Sequence, residues 1–367
     1  MKLKRNWVMY LIVGMVVISS LSGCGGYKDI DKRFFVVAIG IDAAKSHTKK
    51  YLISLKFAIP SVEKKPNDFI IVSEEADTMA EAVRIIKTKV DKEVDFSHAK
   101  VVVFNEKIVQ KKMEPHLIYW FSRRRDIQKI LWTVIGRPTA LEVLKTKPKF
   151  EQIPSNSMFL ALGKEGTETP YIFGEYLFDF KKRLIEKGLD PFMPIIEVKK
   201  GLLVINTAGL FNKKRLKMVL TPEQTKLLYY IFNSEQKSAI KVKSRKLYFI
   251  IDTQKIKSSY KMDTSNPNHS IIKTKIKIKG RLEEAMFSPK NSELPAYEKL
   301  AEKDIDKQVK NLLLKLQKAN LDPIGFGLYY RARHFQNNDW KTWQHIYPNL
   351  TFEVHTDVHI EDTGLIE

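Results

Sequence analysis

The sequence predicts a packed chain of strands and helices, opening with a domain of α/β or α+β type behind an N-terminal leader. Continuous apolar runs at residues 34–41 (Phe-Phe-Val-Val-Ala-Ile-Gly-Ile) and 100–105 (Lys-Val-Val-Val-Phe-Asn) have the length of buried strands. Helical spacing and capping signals lie between and after them, a mixture that calls for helices packed on a sheet. Apolar residues make up 44% and aromatic residues 11% of the chain, which fits a packed core rather than disorder. At 367 residues there is room for two or three domains.

The leader comes first. Lys2, Lys4 and Arg5 precede an almost wholly apolar run at residues 7–18, and Leu21-Ser22-Gly23-Cys24 follows. Small residues at the cut are the mark of a signal peptide. A leucine, two small residues and a cysteine match a bacterial lipobox, in which the thiol takes a diacylglyceryl group and the chain is cut before it. The other readings are a plain secretory signal or a short membrane anchor, but an apolar run of about 15 residues is short for a span of about 20. Cys24 is the sole cysteine. Removal of residues 1–23 therefore leaves the folded part with no disulfide framework, cysteine metal site or cysteine nucleophile.

Residues 25–27 read as a tether, and 51–59 alternate as a strand beside 34–41. Thr78-x-x-Glu81 is a capping box that opens a helix with Met79, Val83, Ile86 and Val90 on one face. A helix is expected over 115–129, a strand over 130–135 and a helix over 139–144. Residues 145–170 dissolve into Pro, Gly, Ser and Thr, the composition of a boundary or exposed loop. A helix over 173–187, closed by Gly188, leads to paired strands over 195–220. Thr221-Pro222-Glu223 then starts a helix running to Phe232, with proline at its first position.

Residues 239–261 and 271–279 read as long strands. In the second, Lys273, Lys275, Lys277 and Lys279 point one way, and Ile272, Thr274, Ile276 and Ile278 the other. Same-face lysines about 7 Å apart repel one another, so an acidic partner relieves them, while a solvated face also tolerates them. A long helix over 298–319 carries Ile305, Val309, Leu312, Leu313 and Leu316 on its apolar face and stops before Asp322-Pro323. The last strand covers 350–360.

Charge is the second strong signal. The chain has 63 basic and 42 acidic residues, a net +21, or +18 once Lys2, Lys4 and Arg5 leave with the leader. Residues 213–281 hold 18 Lys and Arg against Glu223, Glu235, Asp252 and Asp263. In a soluble protein such a stretch suggests nucleic acid. A lipid anchor turns the reading toward an anionic membrane surface, where one acyl signal plus a polybasic surface makes a two-signal attachment. A basic face that only maintains solubility is the alternative.

No catalytic set assembles. His355, Asp357 and His359 alternate on one strand face, the best metal pattern in the chain, yet the two histidines stand about 13 Å apart at strand rise. A polar solvent face accounts for them, and no metal or cofactor is expected. His98 reads as a structural hydrogen bond at a strand entry, and Arg123-Arg124-Arg125 beside Asp126 as a solvated helix face. Residues 161–167 lack the spacing of a phosphate loop, and Gly325-Phe326-Gly327 is a turn for close backbone packing. Trp120, Trp132, Trp340 and Trp343 read as core or junction residues. Trp340 and Trp343 share a helix face, which leaves a partner interface as a second reading.

These landmarks resemble the Ger(x)C family of spore germination lipoproteins. The likeness rests on the lipobox followed by Phe34-Phe35-Val36-Val37-Ala38-Ile39-Gly40-Ile41-Asp42, and on Thr78-Met79-Ala80-Glu81-Ala82-Val83 leading to Phe96-Ser97-His98-Ala99-Lys100-Val101. It continues through Thr207-Ala208-Gly209-Leu210-Phe211, Asp322-Pro323-Ile324-Gly325-Phe326-Gly327, Trp340-Lys341-Thr342-Trp343 and Ile360-Glu361-Asp362-Thr363-Gly364-Leu365. Where the family has a Trp-Asp pair right after the lipidated cysteine, this chain has Gly25-Gly26-Tyr27-Lys28-Asp29. The resemblance implies an α+β protein of three domains, each a mainly mixed or antiparallel β-sheet with surrounding helices, behind a lipoprotein signal peptide. On that pattern the chain divides into a signal peptide (1–23), an N-terminal domain (24–148), a middle domain (149–235) and a C-terminal domain with the long helix (236–367).

The resemblance also implies a function without catalysis. Such a protein is the C subunit of a nutrient germinant receptor, beside integral-membrane A-type and B-type subunits at the outer face of the spore inner membrane. Cys24 is then the lipidation site, taking diacylglyceryl and N-acyl groups. Lys273, Lys275, Lys277 and Lys279 are the candidate contacts to a partner or to lipid headgroups. A lipoprotein that captures the small-molecule germinant itself is the less favoured alternative, and nucleic acid is not expected as a partner.

Overall fold

The computed structural model describes residues 29–59, 69–147, 156–163, 169–232, 238–244, 247–266, 269–287, 289–335 and 337–363, with Trp7, Tyr10 and 13–15. Cys24 and its lipobox lie outside the described residues. Among the described residues no helix is long and apolar enough to cross a membrane.

The architecture is α+β, built on two sheets. The first takes β1 (Arg33–Ala43), β2 (Tyr51–Ala58), β3 (Phe69–Ala76), β4 (Glu93–Asp95), β5 (Val101–Asn105), β6 (Trp132–Arg137), β7 (Phe192–Lys199), β8 (Leu202–Phe211) and β9 (Leu216–Val219). Among the described residues it is nine-stranded in the order β3-β2-β1-β5-β6-β7-β8-β9, with β4 also against β1. The central neighbours β1, β5, β6 and β7 run parallel, and the flanking pairs are antiparallel. Parallel pairing demands crossovers, and helices supply them.

Helices on both faces explain the continuous apolar run of β1. On one face lie α1 (Met79–Ile86), with Met79, Ala82, Val83 and Ile86 buried, and α3 (Pro115–Arg123), which follows the short α2 (Glu106–Lys111). On the other lies α4 (Ala140–Lys145), whose Ala140, Val143 and Leu144 pack with Ala38 and Val103. Thr78 caps α1 by accepting from the Glu81 amide at 3.2 Å, and Thr139 caps α4 from Glu142 at 3.0 Å. The Glu81 carboxylate accepts from the Asp77 amide, so the helix start is held from both sides.

Several elements depart from expectation, and the helix expected over 115–129 ends at Arg123. β3 carries little alternation and goes unmarked in the sequence, yet pairs along its whole length with β2. Within 145–170 stands a helix, α5 (Asn156–Gly163), whose apolar residues run almost all round with no stripe to betray it. The strand expected over 239–261 is two strands, β10 (Ser238–Ser244) and β11 (Leu247–Asp263), paired from Ser244↔Leu247 outward. Across the reversal the buried positions change phase, from Ile240 and Val242 to Phe249 and Ile251, a shift that one continuous strand does not show.

Strands β7, β8 and β9 continue the first sheet past residue 148 through Ile135↔Ile195 and its neighbours. α6 (Leu177–Ile185) precedes them and α7 (Pro222–Phe232) follows. The second sheet, four-stranded among the described residues, has the order β10-β11-β12-β13, with β12 at Ile271–Ala285 and β13 at Thr351–Ile360. Its inner face packs Val242, Phe249, Ile272, Ile276 and Ile278 in one core with Ile305, Val309, Leu312 and Leu316 of α8 (Leu294–Lys318). β12 and β13 are parallel. The crossover between them carries α8, α9 (Phe326–Arg331) and α10 (Asp339–Ile346).

The Asp322–Gly327 turn joins this crossover to the first sheet. The Asp322 carboxylate accepts the amides of Gly325, Phe326 and Gly327 at 2.7–3.0 Å. Complete burial nevertheless pushes its pKa up to about 7. Gly188, at φ +80°, and Gly327 meet backbone to backbone, and Leu328 donates to the Gly188 carbonyl at 2.8 Å. A Cβ on Gly327 would stand 2.5 Å from Trp343 Nε1 and 2.7 Å from Gly188 Cα, so this contact requires glycine. Trp343 is in the core and Trp340 is partly buried against it.

Candidate functional site: the open face of the C-terminal sheet

The alternation of β12 is realised residue by residue: Ile272, Thr274, Ile276 and Ile278 are buried, and Lys273, Lys275, Lys277 and Lys279 are exposed. Burying the isoleucines against α8 fixes the register, because a one-residue slip would put four lysines into the core.

The neighbouring strands extend this basic row into a surface. Across β11, Lys273 faces Lys261, Lys275 faces Ser259, Lys277 faces Lys257 and Lys279 faces Lys255. Across β13, the same four lysines face Glu353, His355, Asp357 and His359 in turn. Lys273 pairs with Glu353 at 3.3 Å, Lys279 with Glu361 at 2.5 Å and Arg281 with Asp362 at 3.2 Å. β13 thus offsets the two ends of the lysine row. Among the described residues no ion pair forms at its middle, Lys275 and Lys277. A cavity of about 320 Å³ opens on this face between Lys255, Lys257, Lys277 and Lys279, with Asp357 and His359 on its far side.

The other sequence candidates fall as follows. His355, Asp357 and His359 are exposed on the same face with lysines in the next strand, an electrostatic setting hostile to a metal cation. His359 lies 3.5 Å from Glu298. Glu298 and Glu302 accept the Ile360 and Val358 amides, which blunts the β13 edge. Among the described residues no three His, Cys, Asp or Glu side chains converge for a metal. His98 sits edge-on to Phe35 at 4.5 Å. Arg124 pairs with Asp126 and covers the Phe96 and Trp120 rings. Trp132 stacks on Tyr176 at 3.8 Å.

Sequence reasoning missed a set of buried charges, because nothing in local patterning announces that a Lys or Glu will be enclosed. Lys56, on β2, is 1% exposed, with its ammonium 3.8 Å from the centre of the Phe69 ring, and burial lowers its pKa to about 8. Glu175 is 7% exposed and burial raises its pKa to about 7, although Arg183 Nε lies 2.7 Å from its carboxylate. Lys213 donates to the carbonyls of Arg183 and Leu189 and stands 3.5 Å from the raised Asp190 carboxylate.

The described residues thus form a two-sheet α+β protein whose C-terminal sheet turns a lysine-lined face outward. The chain belongs to the GerAC-like family of spore germination proteins: the family's N-terminal domain matches residues 26–198 and its C-terminal domain residues 206–364. Spore germination protein GerQC of Bacillus cereus is 24% identical over 376 residues, covering 99% of this chain and all of that protein. Spore germination protein KC of Bacillus subtilis (strain 168) is 23% identical over 393 residues, covering 96% of this chain and 95% of that protein. The crystal structure of the GerBC protein shares the fold at a TM-score of 0.58 and 18% identity, over 88% of this chain and 98% of that one.

Proposed function

We propose that this chain is a lipid-anchored, non-catalytic subunit of a nutrient germinant receptor at the outer face of the spore inner membrane. Acyl groups on Cys24 tether it, and integral-membrane A-type and B-type subunits are its partners. Family membership along nearly the whole chain supports the germination role. The observation that carries the contact surface is the exposed row Lys273, Lys275, Lys277 and Lys279, which lies open to anionic headgroups or an acidic subunit face. The division into domains at 24–148, 149–235 and 236–367 belongs to the same proposal. Site-directed crosslinking from position 275 in intact spore membranes tests the contact. Adducts with lipid or a receptor subunit support it, and reaction with water alone contradicts it.

A further inference from the structure

Helix α7 buries an unbroken run of residues, 225–231, and Lys226 is the charged residue among them. Its side chain is 8% exposed. The ammonium donates to the Ala239 carbonyl at 3.2 Å and lies 5.3 Å from the centre of the Tyr171 ring. Among the described residues no ion pair reaches it. Burial lowers its pKa, with Glu223 opposing the shift and Lys241 adding to it. One carbonyl meets one of three N–H donors, and a charge enclosed without a counter-charge is costly to the fold.

This ammonium borders an opening rather than a sealed core. It lines a cavity of about 500 Å³ between α7, β10 and α8, within the range of small-molecule sites, roughly 300–1,000 Å³. Lys241 and Lys243 of β10 and Lys307 of α8 line the same space, against the carboxylates of Glu223 and Asp304. Asp304 is already engaged, accepting the Lys243 amide at 3.1 Å and Gln308 Nε2 at 2.9 Å. Glu223 is exposed, one turn before Lys226 on the same helix. The cavity is therefore cationic, and its enclosed cation is the one left without a carboxylate.

The remaining wall selects the rest of the ligand. Leu227, Ile240 and Ile305 are buried side chains that border the cavity. Tyr230 contributes its ring alone, because its hydroxyl is bonded to Ser238 at 2.5 Å. We propose that this cavity binds a small carboxylate with an apolar body, the carboxylate accepting from Lys226 Nζ and the body lying on Leu227, Ile240 and Ile305. The site does not depend on the membrane reading, because neither Cys24 nor the β12 lysines contribute to it.

Calorimetric titration of the purified full chain with three probes of similar shape tests this: phenylacetate, phenylacetamide and phenethylamine. Phenylacetate binds, the amide binds about tenfold or more weakly for want of a charge-assisted hydrogen bond, and the amine gives no heat. Acetate, which lacks the apolar body, also binds about tenfold or more weakly. Lys226→Met keeps the buried stem and lowers phenylacetate affinity by about tenfold or more. Should Lys226→Met fail to fold, Lys241→Gln with Lys307→Gln, both at exposed positions, lowers phenylacetate affinity roughly fivefold without shifting the unfolding midpoint. No heat with phenylacetate, equal affinity for phenylacetate and its amide or for acetate, or full affinity in the folded variants overturns the proposal.

Discussion

Lys275→Ala combined with Lys277→Ala removes the two β12 cations that form no ion pair among the described residues, and both side chains stand clear of the core. Cations near an anionic bilayer contribute about 1 kcal/mol each. The double variant should therefore lose about 2 kcal/mol, or roughly 30-fold in partitioning. Stability should hold within about 0.5 kcal/mol, as for exposed substitutions in general. The register supplies an opposite perturbation. Glu353→Gln with Glu361→Gln releases Lys273 and Lys279 from their carboxylates and should tighten partitioning by a comparable factor. The assay is co-sedimentation of residues 25–367 with phosphatidylcholine vesicles, with and without phosphatidylserine, across a salt series. Both effects should shrink as salt shortens the Debye length below about 10 Å. Binding that ignores phosphatidylserine, or a lysine variant that partitions like the parent, would refute the reasoning.

Three further outcomes concern the folded state. In urea titrations, stability should fall as pH rises from about 4.5 to about 7, because Glu175 and Asp322 have raised pKa values near 7 and the folded chain keeps protons that the unfolded chain has released. Stability should climb again above about 8, since Lys56 has a lowered pKa near 8 and the unfolded chain then binds the extra proton; a flat profile would contradict both assignments. Lys56→Met keeps the buried aliphatic volume and drops an enclosed charge, and should stabilise by about 1–3 kcal/mol at pH 7, read as a higher urea midpoint. Gly327→Ala drives a methyl into Trp343 and Gly188, and should destabilise by about 1–3 kcal/mol in the same assay.

Legibility in the sequence followed the physics of each element. Over 271–279 β12 could be read to the residue because one of its faces meets α8 and the other does not, although the strand runs on to Ala285. The cap at Thr78 was equally plain, being a local bond between residues three apart. What stayed hidden was long-range. Nothing near Ile135 or Ile195 shows that they pair and carry the first sheet past residue 148. The β10–β11 reversal left a trace that went unread, the switch of the apolar positions from Ile240 and Val242 to Leu247, Phe249 and Ile251. Of the surface site, the lysines were legible and their partial neutralisation was not, since Glu353 and Glu361 lie some 80 residues along the chain and reach the row only through the parallel pairing of β13. Glu175 gave no signal at all, because enclosure of a charge is decided by elements from four parts of the chain.

The central claim is attachment, and Cys24 decides it. Cells expressing the parent chain and Cys24→Ala should be lysed, and the membranes washed in high salt to strip electrostatic contacts. The parent should stay with the membrane fraction and the Cys24→Ala chain should appear in the wash. Membrane retention of Cys24→Ala at high salt would contradict the account.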